Sequence, residues 1–70
     1  MIAQINVITL TTNEVHTLSM VASKEYAKAQ KEQEAFASLV NYNLCFVEGD
    51  KVYLTQLGMD VANRYDIVVK

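Results

Sequence analysis

The stretch Leu44–Tyr65, LCFVEGDKVYLTQLGMDVANRY, decides the fold. It reads as a tight β-hairpin that runs directly into a helix. Gly49-Asp50 is a two-residue turn pair, in which glycine takes a positive φ without the penalty of a Cβ. Centring the loop there aligns Glu48 with Lys51, Val47 with Val52, Phe46 with Tyr53 and Cys45 with Leu54. Side chains alternate across a strand. One face therefore holds Cys45, Val47, Val52 and Leu54, all apolar. The other holds Phe46, Glu48, Lys51 and Tyr53, with an ion pair at the tip and an aromatic pair below it. No other register sorts the residues so cleanly. Thr55 ends the hairpin and caps the next helix, Gln56 to Tyr65, whose inner side is expected to be Leu57, Val61 and Tyr65. Gly58 in the first turn of that helix costs about 1 kcal/mol relative to alanine. Its presence is explained if another element approaches closely there.

Working upstream, residues 24–43, KEYAKAQKEQEAFASLVNYN, consist largely of good helix formers. Tyr26, Ala29, Gln33, Phe36, Ala37, Val40 and Leu44 trace one helical face, flawed at Gln33. Two readings follow: one long helix of about five turns, or a break near Lys31–Gln33 into two short helices. Ser23 is expected to cap this segment. Thr11 and Glu14 have the spacing of a capping box, with Leu10 and Val15 at the positions of a hydrophobic staple. The first helix is expected over Thr12–Ala22, burying Val15, Leu18, Val21 and Ala22. Residues 2–10, IAQINVITL, are rich in β-branched residues and read as a strand. Residues 66–70, DIVVK, are long enough for an edge strand that pairs with residues 2–10 of the same or a second chain.

Seventy residues allow one domain. A chain this short buries only about 60% of its unfolded surface, so good packing or self-association must supply the remaining stability. The 51% hydrophobic content argues against disorder. The net charge of −2 and pI near 5.1 are those of an acidic chain, whereas a dedicated nucleic-acid binder is usually basic. A DNA site would have to be a local patch. Cys45, the only cysteine, cannot form an internal disulfide. On the apolar hairpin face it reads as a buried reduced thiol, which suits a cytoplasmic protein. The first ten residues lack the basic start of a signal peptide, and no run approaches the roughly 20 apolar residues of a membrane span. The expectation is a soluble cytoplasmic protein without membrane contact. There is no Ser/His/Asp order, phosphate loop, CxxC or HExxH, and His16 is the only histidine. Neither enzymatic activity nor a cofactor, metal or small-molecule substrate is expected.

The order strand, helix, helix, hairpin, helix resembles a winged-helix domain. Val52–Ala62, VYLTQLGMDVA, is similar to the end of the wing in small winged-helix transcription regulators. There a hairpin strand ends in Leu-Thr, followed by two residues and a glycine at the start of a helix. Leu54, Thr55 and Gly58 match. Leu39-Val40 and Leu44 stand where such domains place the end of the recognition helix and its step into the wing. The resemblance implies an α+β, winged-helix-like fold of order β-α-α-β-β-α over residues 1–70, with a short C-terminal strand as an addition. It also implies a non-enzymatic DNA-binding transcriptional regulator, acting as a homodimer. Ala27 takes the place of the alanine usual in the first helix of a helix-turn-helix, and Lys31 stands at the turn position usually held by glycine. The residues facing a major groove would then be Gln33, Glu34, Ser38 and Asn41, one acid and no base.

Lys24, Lys28 and Lys31 fall at i, i+4 and i+7 and share one helical stripe. Lys51 sits at the hairpin tip, where a wing touches phosphates. These four are the candidate DNA-binding residues. Against them, Glu25, Glu32 and Glu34 interleave on the same segment. Expected pairs Lys28–Glu32 and Lys31–Glu34 would be those of an ordinary solvated helix. Phe46 and Tyr53, with Tyr42 nearby, form a candidate protein interface unless the first strand or the first helix covers them. Two function classes stand: the DNA-binding regulator, and a protein-interaction module. Small acidic phage or mobile-element proteins that bind and inhibit or redirect a host protein exemplify the second. The charge balance and the missing turn glycine favour the second; the first is the expected function, because the wing and its following helix are the only specific pattern in the sequence.

Overall fold

The computed structural model describes residues 9–70. The expected strand over residues 2–10 lies, apart from Thr9 and Leu10, outside the described residues. Within them, four helices and a two-stranded antiparallel sheet make a mixed α+β fold.

Helix α1, Thr12–Ala22, begins as its sequence dictates. The Thr11 N–H donates to Glu14 Oε1 at 2.9 Å and the Glu14 N–H donates to Thr11 Oγ1 at 3.2 Å, closing the capping box. Leu18, Val21 and Ala22 are buried and Val15 is half-buried. Thr17 and Met20 are buried as well; the Thr17 hydroxyl is satisfied by donating to the Asn13 carbonyl at 2.7 Å.

Of the two readings for residues 24–43, the broken helix is the one adopted. Helix α2 spans Tyr26–Lys31 and α3 spans Gln33–Asn41, with Glu32 between them at φ −85°, ψ 69°. The break changes the helical phase, so the expected continuous face does not form. Ala29 is buried from α2, and Ala35 and Leu39 from α3, with Phe36 half-buried; Gln33, Ala37 and Val40 are exposed.

Three helices end by one device that the chain carries without glycine. After α1, the Lys24 N–H donates to the Val21 carbonyl and the Glu25 N–H to the Met20 carbonyl, with Lys24 at φ 65°. After α3, Asn43 (φ 62°) and Leu44 donate to Val40 and Leu39 in the same pattern. This is a Schellman turn, whose left-handed position usually holds glycine. Ser23 therefore closes α1 rather than capping α2, whose N-cap, Glu25, makes no side-chain capping hydrogen bond. Asparagine tolerates the left-handed region, whereas lysine gains nothing from it. Lys24→Gly is expected to raise stability by about 0.5–1 kcal/mol. A urea midpoint that moves upward at constant slope would register this. An unchanged midpoint would show that the turn carries no such penalty.

Strands β1, Cys45–Glu48, and β2, Lys51–Leu54, pair in the expected register, with Gly49 at φ +66°. Cys45 and Val52 are buried and Leu54 is half-buried, but Val47 is 48% exposed. Strand β2 packs on α1 and α4 and β1 on α3, and the cover reaches Val52 on β2 but not its partner Val47 on β1.

Helix α4, Gln56–Arg64, is capped by Thr55, whose hydroxyl accepts the Gly58 N–H at 2.9 Å. Its buried stripe is Gly58, Val61 and Ala62, continuing to half-buried Tyr65, at i, i+3, i+4 and i+7. Leu57, expected on the inner side, is instead 42% exposed, because the helix meets the body on its glycine side. The Tyr65 hydroxyl accepts the Leu10 N–H at 2.9 Å. A third Schellman turn follows, with Asp66 at φ 58° and Ile67 N–H donating to the Ala62 carbonyl. Residues 67–70 then form no strand among the described residues; the Lys70 N–H donates to the Ala22 carbonyl at the free end of α1.

Candidate functional site

The structure places Lys24 and Lys28 beside the hairpin tip at Asp50, next to Lys51 in the chain, and Lys31 on a different cleft. Lys24 sits in the turn after α1, outside any helix, and α2 carries only Lys28 and Lys31, so the expected stripe does not form. Lys28 Nζ meets Glu25 Oε1 at 3.2 Å rather than Glu32. The expected Lys31–Glu34 pair needs an unbroken helix, and Glu32 breaks it. Lys24 and Lys28 border an open depression of about 450 Å³ between the α1–α2 turn and the hairpin tip, together with Glu25, Tyr26 and Asp50. Lys31 faces a different cleft, of about 430 Å³, between the start of α1 and the α2–α3 junction, beside Glu32 and Glu34. Lys51 lies directly across the hairpin from Glu48. Each of these lysines thus shares its surroundings with at least one carboxylate, which opposes its field.

The expected groove-facing residues divide in the same way. Gln33, Glu34 and Ser38 line the cleft facing α1, opposite Thr11, Asn13 and Glu14, while Asn41 is exposed elsewhere on α3. A phosphate entering that cleft would meet Glu32 and Glu34 with only Lys31 to attract it.

The aromatic residues are brought together. The rings of Phe46 and Tyr53 stack with centroids 5.3 Å apart and planes inclined by 27°. They remain 45% and 39% exposed among the described residues, so α1 does not cover them. Tyr42, at the end of α3, is 40% exposed. Val47 adds an exposed apolar group on the opposite face of the same strand, and Leu57 and Met59 do so on α4. Sequence periodicity placed Val47 and Leu57 inside. No local signal tells which strand of the hairpin the helices cover or which side of α4 meets the core.

Cys45 is buried, and desolvation pushes its thiol up to about 11, which removes the thiolate needed for nucleophilic chemistry near neutral pH. His16 is exposed. Among the described residues no group of three or more His, Cys, Asp or Glu could hold a metal ion, and no helix is long and apolar enough to cross a membrane.

Comparison with protein-family models, with curated proteins and with solved structures finds no match.

Proposed function

We propose that this protein is a small non-enzymatic binding module that engages another protein through the aromatic face of its hairpin. The observation that carries the reading is the exposed Phe46–Tyr53 stack. Aromatic side chains are enriched at the centres of protein interfaces. Stacking already restricts both rings, so little side-chain entropy remains to be lost on docking. Glu48 and Lys51 edge the patch with one charge of each sign, which orients a partner more than it attracts one. With a net charge of −2, the chain suits a basic partner, such as a nucleic-acid-binding protein whose site it would occupy. Inhibition or redirection of a host protein by a phage or mobile element is the corresponding biological role.

The second reading is the winged-helix DNA-binding regulator. It is favoured by the Thr55 and Gly58 geometry at the end of the hairpin, the segment in which the sequence resembles a wing. It would draw on Lys24, Lys28, Lys31 and Lys51 and on a second subunit for affinity.

A titration of labelled duplex DNA at low and at physiological salt, with light scattering on the same sample, separates the readings. The protein-binding module is expected to show no association at either salt. Association that weakens steeply with salt would overturn it in favour of the regulator. In parallel, joint replacement Phe46→Ser and Tyr53→Ser is expected to lower the melting temperature by no more than about 12 °C. An aromatic pair contributes about 0.5–1.5 kcal/mol, and 1 kcal/mol shifts a domain of this size by about 4–8 °C. Collapse of the fold would place the rings in the core and remove the interface.

A further inference from the structure

Glu32 joins two helices that nothing local keeps apart. Its φ of −85° already lies in the helical range, and only its ψ of 69° departs from the helical value of about −42°. No side chain caps α3 at this point. The flanking residues, Ala27-Lys28-Ala29-Gln30-Lys31 and Gln33-Glu34-Ala35, are mostly strong helix formers with neither glycine nor proline. The break also forfeits the helical spacing of Lys31 with Glu34. Local preference therefore favours a continuous helix. The break is held by tertiary packing, in which α3 lies against α1 with Leu39 fully buried and Ala35 buried beside it.

The geometry points to a second copy of this chain as a partner, bound by exchange of identical elements about Glu32. Turning the ψ of Glu32 to its helical value fuses α2 and α3 into one helix over residues 26–41, about 24 Å long. Everything after the hinge then leaves its own α1 and packs on the α1 of the second copy. The packing of α1 on α3, β2 and α4 is rebuilt between copies, as are the Lys70 N–H bond to the Ala22 carbonyl and the Leu10 N–H bond to the Tyr65 hydroxyl. The packing of α1 on α2 stays within each chain. The exchange gains the helical hydrogen bonds missing at the hinge and loses the freedom of one molecule relative to another. It therefore depends on protein concentration during folding.

The test is to refold the protein at millimolar concentration, dilute it, and measure mass by size-exclusion chromatography with light scattering. The wild type is expected to give a species of doubled mass that persists after dilution, because its return to monomer requires unfolding. Gln33→Pro keeps the bent form, since proline suits the first position of a helix. It opposes the fused helix by disfavouring helical geometry at residue 32 and by removing an interior N–H. It is expected to cut the doubled species more than about tenfold while preserving the monomer's melting temperature. Glu32→Asn, a weaker helix former at the hinge, is expected to act in the same direction and serves if the proline variant does not fold. Absence of a doubled species in the wild type would overturn the proposal. So would a doubled species that survives both hinge variants. If that species is instead lost on Phe46→Ser and Tyr53→Ser, the hairpin face is the contact between copies.

Discussion

Gly58→Ala is expected to remove a large part of the protein's stability. A Cβ at this position would stand 1.9 Å from the Leu44 carbonyl oxygen, 2.8 Å from its carbon and 3.2 Å from Leu54 Cδ2. The Leu54 side chain can rotate away; the Leu44 carbonyl has no such freedom. Its oxygen accepts the Thr55 N–H at 3.0 Å, its own N–H donates to the Leu39 carbonyl at 3.0 Å, and its side chain is fully buried. The Thr55 hydroxyl fastens the same junction twice more, donating to the Asn43 carbonyl and accepting the Gly58 N–H. Making room for a methyl group would prise α4 from the turn that ends α3 and break this set of bonds together. Overpacking against backbone exceeds the usual 1–3 kcal/mol of a crowded core, to about 3 kcal/mol or more. Alanine's better helix propensity returns only about 1 kcal/mol. Domains of this size have about 5 kcal/mol in total. A net loss of about 2 kcal/mol or more, seen by circular dichroism as a melting transition lowered by at least about 8–16 °C, is the expected result. A transition kept within about 1 kcal/mol of the wild type would show that the Leu44 turn yields and that glycine is not required.

The second large effect is alkaline destabilisation through Cys45. The thiol is buried on the hairpin's inner face, and desolvation pushes it from 9.0 to about 11. Below pH 9 it is neutral in both the folded and the unfolded chain and contributes no pH dependence. Between about pH 9 and 11 the unfolded chain loses the proton while the folded chain retains it. The folded state then binds more protons, and stability falls as pH rises. The loss amounts to about 2–3 kcal/mol once pH passes the folded value. Other groups titrate in this range, so the quantity to measure is the difference between wild type and Cys45→Ala in urea midpoints from pH 8 to 11. The difference is expected to change across that window in favour of the variant, on top of a constant offset from the lost core contact. A difference independent of pH would show that water reaches the sulfur in the folded state.

The parts of the fold legible in the sequence share one property: each is set by contacts within a few residues or by strict alternation. The capping box needs only Thr11 and Glu14. The hairpin register needs only Gly49-Asp50 and the alternation of apolar residues from Cys45 to Leu54. The need for a close neighbour at Gly58 followed from its cost in a helical turn, although the Leu44 carbonyl could not be named. The stacking of Phe46 on Tyr53 followed from the register alone.

Other features required the tertiary structure. Residues 26–41 are almost uniformly helix-forming, so the break at Glu32 has no local cause; it comes from packing α3 against α1. Lys24 leaves the helical lysine stripe because α1 ends in a turn there, and Lys28 pairs with Glu25. The stops at Lys24 and Asp66 carry no glycine to mark them, because the left-handed turn is imposed by where the next segment packs. The exposure of Val47 and Leu57 depends on which strand of the hairpin the helices cover and on which side of α4 meets the core. The sequence alone thus determined where the chain turns and pairs locally, since those choices rest on hydrogen bonds and alternation between near neighbours. Only the tertiary structure decided which faces are covered and which charges stand together, since burial is a property of contacts between segments far apart in the chain.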